Sequence, residues 1–335
     1  MSFHICVIGC GSIATGYHGP SYTRYVALHP NVVLSACCDV DAGKAAAFRA
    51  RFGFINSYTD YQEMLRTESP DAVCLAVPPP LTCQIGCDIL ALGYPLLMEK
   101  PPGLTVTEID RLIMTAAASG APNQVAFNRR YTPLVRRLKT LLTAGDAEIG
   151  IQHLRYDFTR IGRTDADFST TAIHGIDTAR FIAGCDYAHL EFRYQPLLDQ
   201  GATVANVYLD GVMTSGATVH LEFCPVAGAV TERASLYAQD HTFYLNLPIW
   251  NGFDAPGRLQ HLHTGVLVHD ETGPQVTGSA DDFVLNGFYA ENAAFFDDIQ
   301  AGRRPSGEVT TARQSVEIMQ CIRERRIEYT LAPRG

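Results

Sequence analysis

The sequence has few basic residues and no long apolar run. Its 335 residues carry 26 Lys and Arg against 35 Asp and Glu, which gives a formal net charge of -9. Nucleic-acid backbones and anionic membrane surfaces attract clustered Lys and Arg, so this balance argues against nucleic acid and membrane as partners. Gly, Pro or a charged residue interrupts each apolar stretch before it reaches the length of a membrane span.

Signals for export and for metal binding are also missing. The N-terminal residues 1–6 lack the basic region, the apolar region and the small-residue cleavage site of a secretory signal. The ten cysteines include no CxxC pair, and several lie in apolar runs where a free thiol behaves as a small hydrophobe. Cys83 and Cys87 lie one helical turn apart without a neighbouring His, and we interpret them as structural. We therefore expect no metal site and a location in the reducing cytoplasm.

Length and composition predict two closely packed domains. The chain is long enough for about two domains, and its 47% apolar residues suffice for a large core. Up to about residue 125, short apolar strands alternate with helices, which predicts a parallel sheet covered on both faces. The predicted strands are 3–8, 32–38, 72–77, 95–98 and 124–127, and the predicted helices are 12–28, 42–52, 61–66, 81–92 and 105–119.

After about residue 128, strands with alternating polarity are separated by short turns such as Asp210-Gly211 and Gln239-Asp240. This pattern predicts an antiparallel sheet with one packed face and one open face. The predicted strands are 151–159, 203–209, 217–223, 233–238 and 242–247, and the predicted helices are about 170–184, 289–301 and 310–325. We place the domains at 1–125 and 126–335, with the option that the last helices pack back on the first domain.

A glycine-rich turn follows the first predicted strand: Gly9-Cys10-Gly11-Ser12-Ile13-Ala14, a G-x-G-x-x-A. In such a turn the first Gly allows the tight bend, the second lets the backbone approach a pyrophosphate, and the small third residue lets helix and strand pack closely. The helix N-terminus then offers free N–H groups to the anion. The pattern is weak alone, but its position after an apolar strand predicts a dinucleotide site with contacts from Gly9, Gly11, Ser12 and Ile13.

Asp39 stands directly after the second predicted strand. An acid at this position can accept hydrogen bonds from the ribose 2′-OH and repels a 2′-phosphate. It therefore favours NAD over NADP as the cofactor. The alternative is a solvated acid that opens the Asp39-Val40-Asp41 turn.

Two further strand ends carry chemistry. Val77-Pro78 ends one strand, and Glu99-Lys100-Pro101 ends the next one along the chain. Ligands of open parallel sheets bind outside the carboxyl ends of the strands. We therefore expect Val77, Pro78 and Glu99 to contact the cofactor and Lys100 to lie beside it.

With these motifs, and with Phe127-Asn128-Arg129-Arg130-Tyr131 and His174-Gly175-Ile176-Asp177, the sequence resembles the glucose–fructose oxidoreductase / inositol dehydrogenase / MocA (Gfo/Idh/MocA) family. The resemblance implies an α/β fold, with an N-terminal Rossmann parallel sheet and a C-terminal α+β domain that carries a large, mainly antiparallel open-faced sheet. It implies hydride transfer between nicotinamide and a hydroxyl-bearing carbon, usually of a sugar or polyol. It also implies a homodimer or homotetramer formed through the C-terminal sheet, so that residues 126–335 serve substrate binding and oligomerisation.

Lys100 is the candidate acid and base. Oxidation of a carbinol requires a base for the hydroxyl proton, and an unperturbed lysine, with a pKa of about 10.4, is too protonated for that role. Burial and the nearby nicotinamide cation can lower such a pKa by roughly two to three units, into the useful range. In the reverse direction, the protonated amine polarises the carbonyl.

His174 is the second catalytic candidate, able to relay a proton or to hold a substrate hydroxyl. A helical histidine paired with Asp177, three residues on, is the alternative.

The remaining candidates come from segments expected to face the substrate, and Arg129 and Arg160 fit a carboxylate or phosphate as well as they fit surface ion pairs. The predicted substrate-binding residues are Lys100, Arg129, Tyr131, Tyr156, Asp157, Thr170, His174 and Asp177.

The chain departs from the family at two positions. Thr170 stands one helical turn before His174, where many sugar and polyol dehydrogenases of the family carry Asp, and Thr82 stands where His is frequent. Thr170 cannot accept a proton as an anion, so more of the acid–base role falls on Lys100.

Two other functions stay open: an NADPH-dependent reductase of keto-sugars or other carbonyls, and a dinucleotide-binding regulator that has the fold without the reaction.

Overall fold

The computed structural model describes residues 2–143 and 149–332. Their contacts divide the chain into two compact units. The first unit comprises Met1–Asn128 and Gly287–Val316, and the second comprises Arg129–Asn286 and Glu317–Gly335. In the part of the chain that the structure describes, no helix is both long enough and apolar enough to span a bilayer.

The first unit opens with alternating strands and helices, as the sequence predicted. Its elements are β1 (Phe3–Ile8), α1 (Gly19–Leu28), β2 (Val32–Cys38), α2 (Ala42–Phe52), β3 (Asn56–Tyr58), α3 (Tyr61–Glu68), β4 (Ala72–Leu75), α4 (Pro79–Ala91), β5 (Leu96–Glu99), α5 (Val106–Ser119) and β6 (Asn123–Ala126). Within the described residues the strands form one parallel sheet, the first sheet, in the order β3-β2-β1-β4-β5-β6. The predicted Rossmann sheet is therefore confirmed, with β3 as an additional edge strand.

The helix that follows β1 contains a π-helical turn. The sequence predicted a helical stretch over about 12–28, and within it Ala14–His18 form a π-helix that runs directly into α1. The N–H of Gly19 bonds to the carbonyl of Ala14, five residues earlier. A π-turn of this kind changes the direction in which the following side chains point. Here it directs His18 into the interior of the unit, where the side chain is buried.

The second unit contains α6 (Pro133–Leu142), β7 (Ile151–Thr159), α7 (Ser169–Ala183), β8 (Tyr187–Pro196), β9 (Ala205–Met213), β10 (Thr218–Cys224), β11 (Thr231–Ala238), β12 (His241–Asn246), β13 (Arg258–His263), β14 (Val266–Thr272), α8 (Gly273–Thr277) and α9 (Asp282–Leu285). The chain then forms α10 (Phe288–Gln300) in the first unit, α11 (Val309–Arg323), and β15 (Glu328–Thr330) in the second.

The strands of the second unit form a second sheet in the order β14-β13-β12-β11-β7-β10-β9-β8-β15 within the described ranges. The β7–β10 pair is parallel and the other pairs are antiparallel, so the expected open-faced sheet is mainly antiparallel. Side chains alternate along each strand. Tyr156 and Phe158 of β7 are buried in the core of the unit, whereas Arg155 and Asp157 lie on the opposite, open face.

Helix α7 packs closely on the second sheet because Gly175 faces β7 and β10. A Cβ atom at Gly175 would lie 2.8 Å from the Phe223 ring and 3.2 Å from the Tyr156 ring. Any larger residue would push the helix outward. Gly175 thus holds the adjacent His174 close to the inner face of the sheet.

A group of histidines continues the inner face of β12–β14 beyond the apolar core. Nδ1 of His241 lies 2.8 Å from Nε2 of His261, and the His261 ring stacks on Phe243 and on His269. Burial, followed by the neighbouring histidines, lowers the pKa of His261 to about 4. This ring is therefore neutral in the folded protein at neutral pH.

Candidate active site

The Gly9–Ala14 turn has the backbone geometry that a pyrophosphate requires. Gly9 has a φ of 95°, and a Cβ atom there would lie 2.2 Å from the carbonyl oxygen of Ala76, so only glycine fits. A Cβ at Gly11 would meet no atom within 4 Å, which leaves space above the turn. Ser12 and Ile13 are exposed at the start of the helix, where the first N–H groups have no acceptor within the helix. The turn therefore offers an open, donor-rich anion site.

Asp39 lies beside this turn and shapes it. Its Oδ2 accepts the N–H of Cys10 at 2.9 Å, and its Oδ1 accepts the N–H of Asp41 at 3.0 Å. A carboxylate has about four acceptor positions, so Asp39 retains the capacity to accept ribose hydroxyls. The sequence suggested either a ribose ligand or a turn-opening acid, and the structure gives Asp39 a direct bond to the glycine-rich turn.

The strand ends of the first sheet are held in register around the turn. Gly9 donates its N–H to Cys38 at 2.8 Å, and Ala76 donates to Ile8 at 2.8 Å. Val77 and Pro78 follow Ala76; Val77 is partly exposed and Pro78 is exposed. They lie at the same sheet edge as Gly9, as predicted for residues that line a cofactor cleft.

Glu99 and Lys100 end β5 at this edge, and both are partly exposed. The Glu99 carboxylate accepts the N–H of Lys100 through Oε2 at 3.0 Å and bonds to Nε2 of His18 through Oε1 at 2.8 Å. Glu99, which the sequence assigned to the cofactor, thus links the backbone of Lys100 to the helix behind the glycine-rich turn. His18 was not predicted, because nothing in its local sequence distinguishes it from other helical histidines.

The hydrogen bonds of Asn292 define the tautomer of His18. Nδ2 of Asn292 donates to the carbonyl of Phe288 at 2.7 Å, which fixes the orientation of the amide, and it lies 3.0 Å from Nδ1 of His18. Nδ1 of His18 is then an acceptor. Its Nε2 consequently carries the proton and donates it to Glu99. The chain of bonds runs from α10 through His18 and Glu99 to the backbone of Lys100.

Glu232 is the centre of a buried polar cluster in the second unit. Its Oε1 accepts Nη2 of Arg129 at 2.9 Å and also Nη2 of Arg160, while its Oε2 accepts the hydroxyl of Tyr156 at 2.8 Å. These four side chains are each at most 2% exposed. Burial raises the pKa of Glu232, but Arg129 and Arg160 outweigh this effect and lower it to about 2. The carboxylate therefore stays ionised and holds both guanidiniums.

His174 lies at the edge of this cluster. Nη1 of Arg129 is 3.4 Å from Nε2 of His174, whose side chain is 5% exposed. A guanidinium can only donate, so this contact requires the lone pair on Nε2 and therefore a neutral ring. The structure thus brings together Arg129, Tyr156 and His174 of the predicted substrate residues. Arg129 and Arg160, candidate ligands for an external carboxylate, share the carboxylate of Glu232.

The other predicted substrate residues lie in different surroundings. Arg130 makes a buried two-pronged ion pair with Asp177, at 2.7 and 2.6 Å. Tyr131 is buried with the Arg136 guanidinium over its ring, and the Thr170 hydroxyl donates to the Asp167 carbonyl at 3.1 Å.

Asp157 is separated from the cluster by the alternation of the strand. It lies on the open face of the second sheet and accepts Nε of Arg155 at 2.7 Å, on the side opposite to Tyr156. The expectation that Tyr156 and Asp157 face the substrate together ignored this alternation. The same alternation was the available signal for Glu232, because this acid of β11 lies two residues before Ala234 and four before Leu236 and therefore shares the inner face with them.

Comparisons with known proteins agree with the geometry of the glycine-rich turn. Residues 3–127 match the model of the "Oxidoreductase family, NAD-binding Rossmann fold", GFO_IDH_MocA. The chain is 23% identical over 244 residues to the uncharacterized oxidoreductase YrbE of Bacillus subtilis, an alignment that covers 69% of this chain and 68% of that one. It is 28% identical over 200 residues to an inositol 2-dehydrogenase of Burkholderia cenocepacia, which covers 58% of each chain.

A solved structure extends the similarity in fold to both units. The structure of levoglucosan dehydrogenase in complex with NADH and levoglucosan matches with a TM-score of 0.83 at 18% identity, covering 98% of this chain and 99% of that one. At this identity the match establishes the fold.

Proposed function

We propose that the chain, whose residues 3–127 match the NAD-binding Rossmann model of the Gfo/Idh/MocA oxidoreductase family, transfers hydride between NAD and a hydroxyl-bearing carbon of a sugar, a polyol or a related small molecule. The observation that carries this proposal is Lys100 at the end of β5, with its backbone bonded to Glu99. The dehydrogenases of inositol and levoglucosan among the similar proteins support the substrate class.

The residues of the first unit fit NAD. Backbone N–H groups of Gly11, Ser12 and Ile13 would hold the pyrophosphate, and Asp39 would accept the ribose hydroxyls and disfavour a 2′-phosphate. Val77, Pro78 and Glu99, at the neighbouring strand ends, would line the nicotinamide side. Bound there, NAD supplies the acceptor for hydride.

We assign the proton transfer to Lys100. When hydride leaves the substrate carbon, the hydroxyl on that carbon loses its proton, and the neutral amine of Lys100 takes it up. In the reverse direction the ammonium form donates the proton to the new alkoxide. Since Thr170 replaces the Asp found in many family members, no carboxylate from that position can share this role.

We assign substrate binding to the residues around His174. With Nε2 held by Arg129, the ring acts in the neutral form, and a substrate hydroxyl that displaces the long 3.4 Å contact would find the same acceptor. Arg129, Tyr156 and Thr170 would supply further donors, whereas Asp177 and Tyr131 would act through Arg130 and Arg136, the arginines that they contact. Asp157, on the open face of the second sheet, is left out of this assignment. Thr170 also favours the second candidate, a non-catalytic regulator that binds NAD.

A turnover assay with a matched lysine control tests the enzyme proposal. The purified protein with NAD and a panel of sugars and polyols should produce NADH, monitored by absorbance. Lys100→Met should abolish turnover and leave the affinity for NAD within a few-fold, while Lys44→Met, an exposed lysine on α2, should behave as wild type. Full activity of Lys100→Met would refute the mechanism. NAD binding without turnover on the whole panel would favour the regulator.

We also propose that copies of the chain assemble as a dimer or tetramer through the open face of the second sheet. Exposed apolar side chains lie in one cross-strand row of that face, at Val212, Tyr237 and Leu267. Light scattering should report an oligomer for the wild type and a smaller species for Tyr237→Glu. A monomeric wild type would refute this assembly.

A further inference from the structure

Trp250, the only tryptophan in the sequence, sits in a strained turn. The 3-10 turn Ile249–Asn251 connects β12 to β13, and within it Trp250 has φ and ψ of 47° while Asn251 has a φ of 51°. Side-chain-bearing residues avoid this left-handed region, and a bulky residue there is an outlier. Such residues persist only where the surroundings fix them, and they concentrate at functional sites.

The backbone on both sides of Trp250 is anchored within the second unit. Ile249 is buried in the core, and its carbonyl accepts the N–H of Gly252 at 2.8 Å. The carbonyl of Pro248 accepts Nδ2 of Asn286 at 2.9 Å. A Cβ at Gly252 would lie 2.9 Å from two carbonyl oxygens, so this turn has room for glycine alone. The unusual direction of the Trp250 side chain is therefore built into the turn.

The indole ring covers the arginines of the Glu232 cluster. The guanidinium carbon of Arg160 lies 5.4 Å from the ring centroid and that of Arg129 lies 6.0 Å from it. Trp250 nevertheless remains 36% exposed. Part of the ring is thus available to a ligand, next to the group that contains His174.

A second observation near the ring concerns a buried hydrogen-bond donor of Arg160. The Nε atom of Arg160 is buried and, among the residues that the structure describes, has no hydrogen-bond partner. A buried donor without an acceptor is costly, so such atoms call for a water or a ligand. An apolar ring face beside polar groups is the arrangement that binding sites use to orient small ligands.

Cyclic sugars and cyclic polyols match this pair of features. One face of their ring presents C–H groups, which pack on an aromatic ring, while the hydroxyls at the rim form hydrogen bonds. An open-chain polyol has no such flat face. An indole that only shielded the arginines would have no need of an exposed face or of a strained backbone.

We propose that Trp250 is a substrate-binding residue that stacks on the ring of a cyclic sugar or cyclic polyol and selects it over open-chain polyols. This inference rests on the proposed dehydrogenase function and narrows its substrate class.

The single tryptophan makes binding directly observable. The Lys100→Met variant, saturated with NAD, is titrated with cyclitols, pyranoses and open-chain hexitols while tryptophan emission is recorded. Stacking should change the emission saturably with cyclic ligands and leave it unchanged with open-chain ligands. Tryptophan emission that does not change at cyclic-ligand concentrations that saturate wild-type turnover would overturn the proposal.

Steady-state kinetics of Trp250→Leu and Trp250→Phe provide the second test. Loss of the ring should raise KM for the cyclic substrate by about tenfold, with an unchanged KM for NAD and a smaller effect in Trp250→Phe. Phe253→Leu, an exposed aromatic of the same loop, is the matched control and should match wild type. Unchanged KM values in both Trp250 variants would overturn the stacking role.

The two tests separate the failure of this inference from the failure of the proposed function. If wild type turns over no member of the panel, the dehydrogenase function fails and the stacking role fails with it. If turnover occurs but tryptophan emission does not change and both Trp250 variants keep the wild-type KM, only the stacking role fails. The emission measurement leaves Trp250 intact, so it stays decisive even if Trp250→Leu does not fold.

Discussion

The imidazole Nε2 of the buried His18 lies 2.8 Å from Oε1 of Glu99 in the first unit. The other oxygen of this carboxylate accepts the N–H of Lys100. A side chain from the helix behind the glycine-rich turn is thus connected to the residue proposed to move the proton. The Glu99 carboxylate thus joins the helix that follows the glycine-rich turn to the proposed acid–base residue.

His18→Leu should therefore slow turnover without weakening cofactor binding. Without its donor the Glu99 carboxylate is free to rotate, and small displacements of a reacting group cost up to about 100-fold in rate. We expect a fall in kcat of about 10- to 100-fold, with NAD affinity kept within a few-fold. His18→Gln, which retains a donor, should recover part of the rate, and His29→Gln, at the C-terminal cap of α1, should keep the wild-type kcat. An unaltered kcat in His18→Leu would show that the link has no catalytic effect.

Asp39→Asn should relax the choice of cofactor. The amide can still accept the Cys10 N–H, but it has no charge to repel a 2′-phosphate. NAD should bind more weakly and NADP more strongly, as measured by calorimetric titration of both. Asp41→Ala is the matched control: it removes the cap of α2 and should lower stability by about 1 kcal/mol while leaving the NAD/NADP ratio unchanged. An unchanged ratio of NAD affinity to NADP affinity in Asp39→Asn would contradict the role assigned to Asp39.

Glu232→Gln should destabilise the protein strongly, because it leaves Arg129 and Arg160 buried without their carboxylate. Loss of one partner of a buried ion pair costs about 3–5 kcal/mol, to be measured by urea unfolding at neutral pH. Since the folded pKa of Glu232 is lowered to about 2, its contribution is complete above its ordinary value near 4.5 and disappears as the pH falls through 2. The difference between variant and wild type should thus be constant at neutral pH and shrink in strong acid.

His261→Phe should protect the protein in mild acid. The folded pKa of His261 is about 4, below its ordinary value of 6.5, so the unfolded chain binds the proton first. Stability linked to this ring is complete above pH 6.5 and is lost as the pH falls from 6.5 toward 4. Thermal melting over that interval should decline less steeply in His261→Phe than in wild type. Parallel declines in the two proteins would show that His261 does not contribute.

The sequence allowed prediction of features that depend on local pattern. Gly9 and Gly11 identified the turn because their spacing has a backbone cause, and the apolar strands predicted the parallel sheet. His18 and Asn292 are far apart in sequence and meet only through packing, so neither their contact nor the bond of His18 to Glu99 had a local signal. The conformation of Trp250 likewise depends on anchors in distant segments, such as Asn286. Strand alternation places Tyr156 and Asp157 on opposite faces of β7, and this separation is readable from the local sequence.

The π-turn at Ala14–His18 also constrains how this chain can evolve. An i→i+5 bond accommodates one residue more than an α-helical turn does. A regular α-helix formed by the same residues would rotate His18 by about 100° relative to the glycine-rich turn. Either the glycine-rich turn or the contact with Glu99 would then be lost. The turn, the extra residue and His18 should therefore be inherited together, and their joint presence in a sequence would mark descendants that retain this support for Lys100.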